Sequence, residues 1–163
     1  MIIKQNFHKI YINLLRLFNR IPFYQPTYMK NIFPIVKDKN LRESETRADL
    51  IIENLDNSSG SYLDIGSQLG YFVFKMAETG FFSTGIESSK YPHSYANSLK
   101  VINDEDNVCF INMSIDSNNV KNLPTYDVVS ILNVFHHLVY FNSFKDADII
   151  MKELVSKTNK ILF

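Results

Sequence analysis

Apolar positions along the chain change their period once, and that change divides the molecule. Over residues 2–21, Ile3, Phe7, Ile10, Leu14, Leu17 and Ile21 recur at steps of four and three, with Leu15 and Phe18 widening the stripe. That spacing predicts an amphipathic helix. Lys9, Asn13, Arg16 and Arg20 fall on its other face, and Pro22 and Pro26 are expected to end it, because proline lacks a donor and restricts its predecessor. Residues 22–40 hold three of the five prolines with Tyr24, Tyr28 and Phe33 between them, and read as a loop. A second helix is expected over 41–56, with Ala48, Ile51, Ile52 and Leu55 on its apolar face and Arg42, Glu45, Arg47 and Asp49 elsewhere. Asn57, Ser58, Ser59 and Gly60 then break the chain.

Beyond the break, short apolar runs alternate with helical spacing. Strands are expected at 61–65, 82–87, 108–113 and 127–132, with a fifth starting at 160–163. Helices are expected at 71–79, 91–101 and 145–157, and a loop containing Pro124 at 114–125. This alternation implies an α/β fold with a doubly wound, mostly parallel sheet. Such sheets take ligands at the carboxyl ends of their strands, where the strand order reverses. We therefore divide the chain into residues 1–40, a basic amphipathic helix and Pro/aromatic loop, and residues 41–163, the α/β domain.

Charge sharpens that division. Seventeen basic and seventeen acidic side chains cancel overall, but residues 1–37 carry six bases and no acid, leaving a net of −6 on the remainder. The acidic part argues against broad nucleic-acid binding. The basic helix is expected to pack on its own domain or on a second copy, with a membrane-surface helix and an organelle transit peptide as alternatives. No run of about 18 apolar residues predicts a membrane span, and no signal-peptide core forms. The single cysteine, Cys109, fits a reducing, cytoplasmic setting, with peripheral membrane association left open. Its apolar surroundings, Val108–Ile111, suggest a small buried hydrophobe.

The informative segment is Tyr62-Leu63-Asp64-Ile65-Gly66-Ser67-Gln68-Leu69-Gly70-Tyr71-Phe72. A strand ends in a carboxylate, and a glycine-rich turn opens a helix whose first N–H groups are free for a ligand. Gln68 stands where the dinucleotide fingerprint needs its second glycine, and the Lys-Ser/Thr of a phosphate loop is absent. The turn is therefore built for something other than a pyrophosphate. Glu87 ends the second strand, 23 positions after Asp64, where an acid accepts ribose hydroxyls in nucleotide-binding sheets. Asp116 follows the third strand. Asp127 begins the fourth, which leads into Asn133-Val134-Phe135-His136-His137-Leu138. Acids at strand ends suit a positively charged ligand. Nothing in the cysteine or histidine spacing supports a metal site.

Taken together, these segments resemble the class I S-adenosylmethionine-dependent methyltransferases. Leu63-Asp64-Ile65-Gly66 through Gly70-Tyr71-Phe72 looks like that family's first motif, Thr84-Gly85-Ile86-Glu87 like its second, and Leu123-Pro124 with Asp127-Val128-Val129 and Asn133–Leu138 like its fourth. The likeness covers about residues 45–163. It implies a Rossmann-like core with S-adenosylmethionine as cofactor and an unidentified small-molecule acceptor. Asp64 would interact with the methionine amino end. Gly66 and Gly70, with the backbone of Ser67 and Gln68, would line the methionine. Glu87 would take the ribose and Ser88 the adenosine. Asp116 would accept from the adenine amino group beside Ile115, with Ser114 as the alternative. The Asn133 carbonyl would help hold the amino group. His136 or His137 would face the acceptor as general base; the structural alternative packs one inward and leaves the other solvated. The family's sheet continues past its fifth strand, so the core is expected to be incomplete at the C-terminus. A non-catalytic scaffold or inactive fragment that keeps the cofactor fold is the competing functional reading.

Overall fold

The computed structural model describes residues 2–18, 20–21, 25–29, 43–55 and 59–163. Helix α1 spans Ile2–Leu17 and α2 Ser44–Glu53. Then β1 (Gly60–Ile65), α3 (Tyr71–Glu78), β2 (Phe81–Glu87), α4 (Lys90–Asn103) and β3 (Val108–Asn112) alternate. A 3-10 turn at Val120–Asn122 leads to β4 (Tyr126–Ser130), α5 (Phe135–Phe141), α6 (Phe144–Ser156) and β5 (Thr158–Leu162). The five strands form one all-parallel sheet in the order β3-β2-β1-β4-β5. The order reverses between β1 and β4, and the crevice that opens there at the carboxyl ends is the ligand position of such sheets.

Two cores cover the sheet, and strand alternation assigns residues to them. Tyr62 and Val128 face the layer of α1–α4, among Phe72, Phe74, Tyr95 and Leu99. Leu63, Ile65 and Val129 face α5, α6 and the 3-10 turn, against Leu138, Ile150 and Leu154. Strands buried on both faces carry apolar residues at successive positions, as the sequence of β4 shows. At the amino ends, Ser61 N–H and Oγ both donate to Asp127, which holds that carboxyl below the usual range and staples β1 to β4. Helix α6 starts where Ser143 Oγ accepts the Asp146 N–H at 3.0 Å.

Three expectations are corrected. Cys109 is exposed, not buried. β3 is an edge strand covered on one face only: Val108 and Phe110 are buried while Cys109 and Ile111 point the other way. Residues 135–141, given no element from the sequence, form α5. The third correction concerns α1, which ends at Leu17, short of Pro22; Pro22, Tyr24, Phe33, Arg42, Asn57 and Ser58 lie outside the described residues. The helix packs on α4 through Gln5, His8, Ile12, Leu15 and Arg16, while Ile3, Phe7, Ile10, Leu14 and Leu17 of the apolar stripe face outward. His8 Nδ1 lies 3.0 Å from Ser98 Oγ, and Arg16 donates to Tyr95 Oη and Thr27 Oγ1, each at 2.8 Å. These hydrogen bonds, together with the burial of Ile12 and Leu15, fix the rotation of the helix and leave the rest of the apolar stripe outward.

Candidate functional site

The chain enters the crevice through the turn after β1. Gly66 and Ser67 donate their backbone N–H groups to the Ile86 carbonyl at 2.8 and 3.0 Å, stitching the turn to β2. Gly66 (φ +75°) and Gly70 (φ +81°) take left-handed conformations, which glycine adopts without steric cost. A Cβ on Gly66 would stand 2.5 Å from Val134 Cγ2, and one on Gly70 2.5 Å from the Phe110 ring. Gly66 thus lets the turn approach the loop after β4, and Gly70 lets α3 seat on β3. Gln68 (φ +50°) and Asn133 (φ +59°) are also left-handed. For Gln68, which lacks the tolerance of asparagine, this stores about 1 kcal/mol of strain at the crevice.

Asp64 is 2% exposed, the most buried acid in the site. Ser130, its register partner on β4, donates to Oδ1 at 2.6 Å, and Tyr62 Oη lies 2.6 Å from the same hydroxyl. Oδ2 is buried with no hydrogen-bond partner among the described residues. Burial pushes the carboxyl up to about 7; the Ser130 bond and Arg47 pull it down, while the neighbouring charge of Glu87 adds to the rise. Glu87 is also buried. Its Oε2 accepts from Gln68 N–H at 3.0 Å and its Oε1 from Ser89 N–H at 2.7 Å, so the carboxylate is fixed with lone pairs to spare.

A cavity of about 600 Å³ fills the crevice, well within the range of small-molecule sites. The structure gathers Gly66, Gln68, Glu87, Ser88, Ile115, Asn133, His136 and His137 around it. Asp64 and Ser67 sit behind the wall, and the buried Ser67 hydroxyl has no hydrogen-bond partner among the described residues. Gly70 is outside the lining, against Phe110. Asp116 is outside it as well: its Oδ1 accepts the N–H groups of Asn118 and Asn119 at 2.7 and 2.8 Å and shapes the turn that delivers Ser114 and Ile115 to the cavity. Both histidines are exposed at the rim, their rings 4.1 Å apart.

Sequence reasoning missed a second set of residues. Gln25, Ser44 and Arg47, from the N-terminal part of the chain, line the cavity, with Phe72 and Phe141. Arg47 lies over the Phe72 ring, 5.7 Å from its centroid. Nothing local marks these positions, since their place depends on how α2 docks. Ser130 was legible in principle, being the strand-end polar residue two after Val128 on the face that carries Asp64.

No family model and no curated protein matches the chain. Solved structures do. WbdD, described as a bifunctional kinase-methyltransferase, superposes with a TM-score of 0.76 at 24% identity, over 89% of this chain and 33% of that one. Coclaurine N-methyltransferase bound to N-methylheliamine and S-adenosylhomocysteine gives 0.59 at 17%, over 83% and 38%. An S-adenosylmethionine-dependent methyltransferase described for Methanococcus maripaludis gives 0.53 at 20%, over 69% and 49%. The chain spans about a third of the length of WbdD. These likenesses establish the fold as the Rossmann-like one found in S-adenosylmethionine-dependent methyltransferases.

Proposed function

We propose that this chain binds S-adenosylmethionine in the cavity and transfers its methyl group to a small-molecule acceptor. The observation that carries the reading is the pair of buried carboxylates, Asp64 and Glu87, at the ends of adjacent strands flanking the Gly66 turn. The residues fit the group. A buried carboxyl with one unpartnered oxygen favours a cation, and the methionine ammonium is one. Glu87 has acceptor capacity for two ribose hydroxyls. The methionine lies along the backbone of Gly66, Ser67 and Gln68 and the Asn133 carbonyl, in a turn that Gly66 lets close against Val134. Arg47 faces the methionine carboxylate. Ser88, Ile115 and Ser114 receive the adenosine; we assign the adenine amino contact to Ser114, because Asp116 is committed to its own turn.

The bound cofactor supplies an activated methyl on a sulfonium, ready for in-line displacement. The protein's share is to hold the acceptor in line and to exclude water. His136 or His137, at the rim, takes the acceptor's proton. A neighbour in fold that holds N-methylheliamine supports a small-molecule acceptor. The single cysteine supports a cytoplasmic setting.

The test is calorimetric titration of the folded chain with S-adenosylhomocysteine. Binding is expected, weakened about ten- to a hundredfold in Glu87→Ala, the cost of losing a charged hydrogen-bond acceptor. No binding by folded protein overturns the reading. Binding without methyl release to any of a panel of acceptors would mark a non-catalytic protein on the same fold.

A further inference from the structure

The face that α1 turns away from α4 has no counterpart among the described residues. Ile3 is 87% exposed, Phe7 70%, Leu17 75% and Phe18 65%, and Ile10 and Leu14 continue the same stripe. Six large apolar side chains in one row on a helix is far from the scattered exposure ordinary surfaces show. The packing face is saturated by Ile12, Leu15 and the hydrogen bonds of Gln5, His8 and Arg16, so α1 has no rotation that would bury the stripe and keep those bonds.

We propose that this stripe docks on an anionic lipid surface, with α1 lying in the plane of the membrane. Charge argues for that occupant. Residues 1–37 carry six bases and no acid, whereas the rest of the chain is acidic. On the helical wheel, Lys4 falls at one border of the stripe, where its stem can snorkel to phosphate while the apolar row enters the acyl boundary. Charge also argues against a second copy, because pairing two stripes would bring together helices that each carry bases and no acid. Among the described residues no helix is long and apolar enough to cross a membrane, so the contact is one of lying on the surface.

The experiment is flotation of the full chain with vesicles of phosphatidylcholine alone or mixed with phosphatidylglycerol. Binding is expected to the mixed vesicles, to weaken with added salt, and to be weaker on phosphatidylcholine. The triple variant Phe7→Ser/Leu14→Ser/Phe18→Ser should lose at least about tenfold in partitioning, since three large apolar side chains leave the acyl boundary. Lys4→Glu/Lys9→Glu should lose a similar factor on anionic vesicles only. These positions are outside the core, so thermal melts and S-adenosylhomocysteine titrations should match the parent, which separates this proposal from the cofactor reading. Equal partitioning of parent and triple variant overturns it. So does no binding to either vesicle, or a dimer in sedimentation velocity that the triple variant abolishes, which would make a second copy the occupant.

Discussion

At about pH 8, replacing Asp64 by asparagine should stabilise the ligand-free protein while weakening ligand binding. The carboxyl is 2% exposed, with one oxygen bonded to Ser130 and the other without a partner among the described residues. Its rise from 3.8 to about 7 means that holding it ionised in the fold costs about 4 kcal/mol, at 1.36 kcal/mol per pH unit. The sign follows from proton counting. Between about pH 4 and 7 the folded state keeps a proton that the unfolded chain has released, so stability falls as pH rises through that window and levels off above it. Asparagine has no proton to release and lacks this slope. It keeps an acceptor for Ser130, but its NH2 group meets no acceptor and subtracts about 1–3 kcal/mol at every pH. The variant should therefore be less stable than the parent near pH 4 and more stable near pH 8, by about 1–3 kcal/mol at the upper end. Urea unfolding of both proteins at about pH 4, 6 and 8 measures this. In the parent, S-adenosylhomocysteine should bind more tightly as pH rises through about 7 and should release a proton on binding below it. A difference between the two proteins that does not change with pH would refute the reasoning, and so would unchanged ligand affinity in the variant.

Further expectations test other parts of the site. Gly66→Ala should destabilise by about 1–3 kcal/mol, because its Cβ meets Val134 and its left-handed φ disfavours alanine; Val134→Ala should restore only part of this in urea melts, since the backbone strain stays. Cys109 should react with a thiol reagent in the native protein at nearly the unfolded rate, whereas strong native protection would contradict its exposed place on β3. Substituting the rim histidine that serves as base, His136→Gln or His137→Gln, should lower kcat by about 10²-fold or more while S-adenosylhomocysteine affinity holds.

Asp64 also shows how far the sequence reaches. Its position at a strand end before Gly66 was readable, as was Glu87 one βα unit later, because both follow from a two-residue strand period and a turn that needs glycine. The left-handed glycine turn between them was legible for the same reason. Asp116 was legible as an acid after β3 but not in what it does: whether such a carboxylate faces a ligand or caps its own turn depends on the path of residues 114–119, which no periodicity encodes.

By itself, then, the sequence determined the order and period of the elements, the parallel α/β class and the carboxylates at the ends of β1 and β2. These are properties of local pattern, which a chain carries wherever it is placed. Only the tertiary structure decided that Cys109 lies on an uncovered edge, that Ser130 props Asp64 across the sheet, and that Arg47 reaches the cavity from α2. It alone turned the apolar stripe of α1 outward. An amphipathic pattern states that one helix face differs from the other. Which face meets the protein is settled by the partner surface, and here it is the mixed face of His8, Ile12, Leu15 and Arg16, with its hydrogen bonds to Tyr95, Ser98 and Thr27.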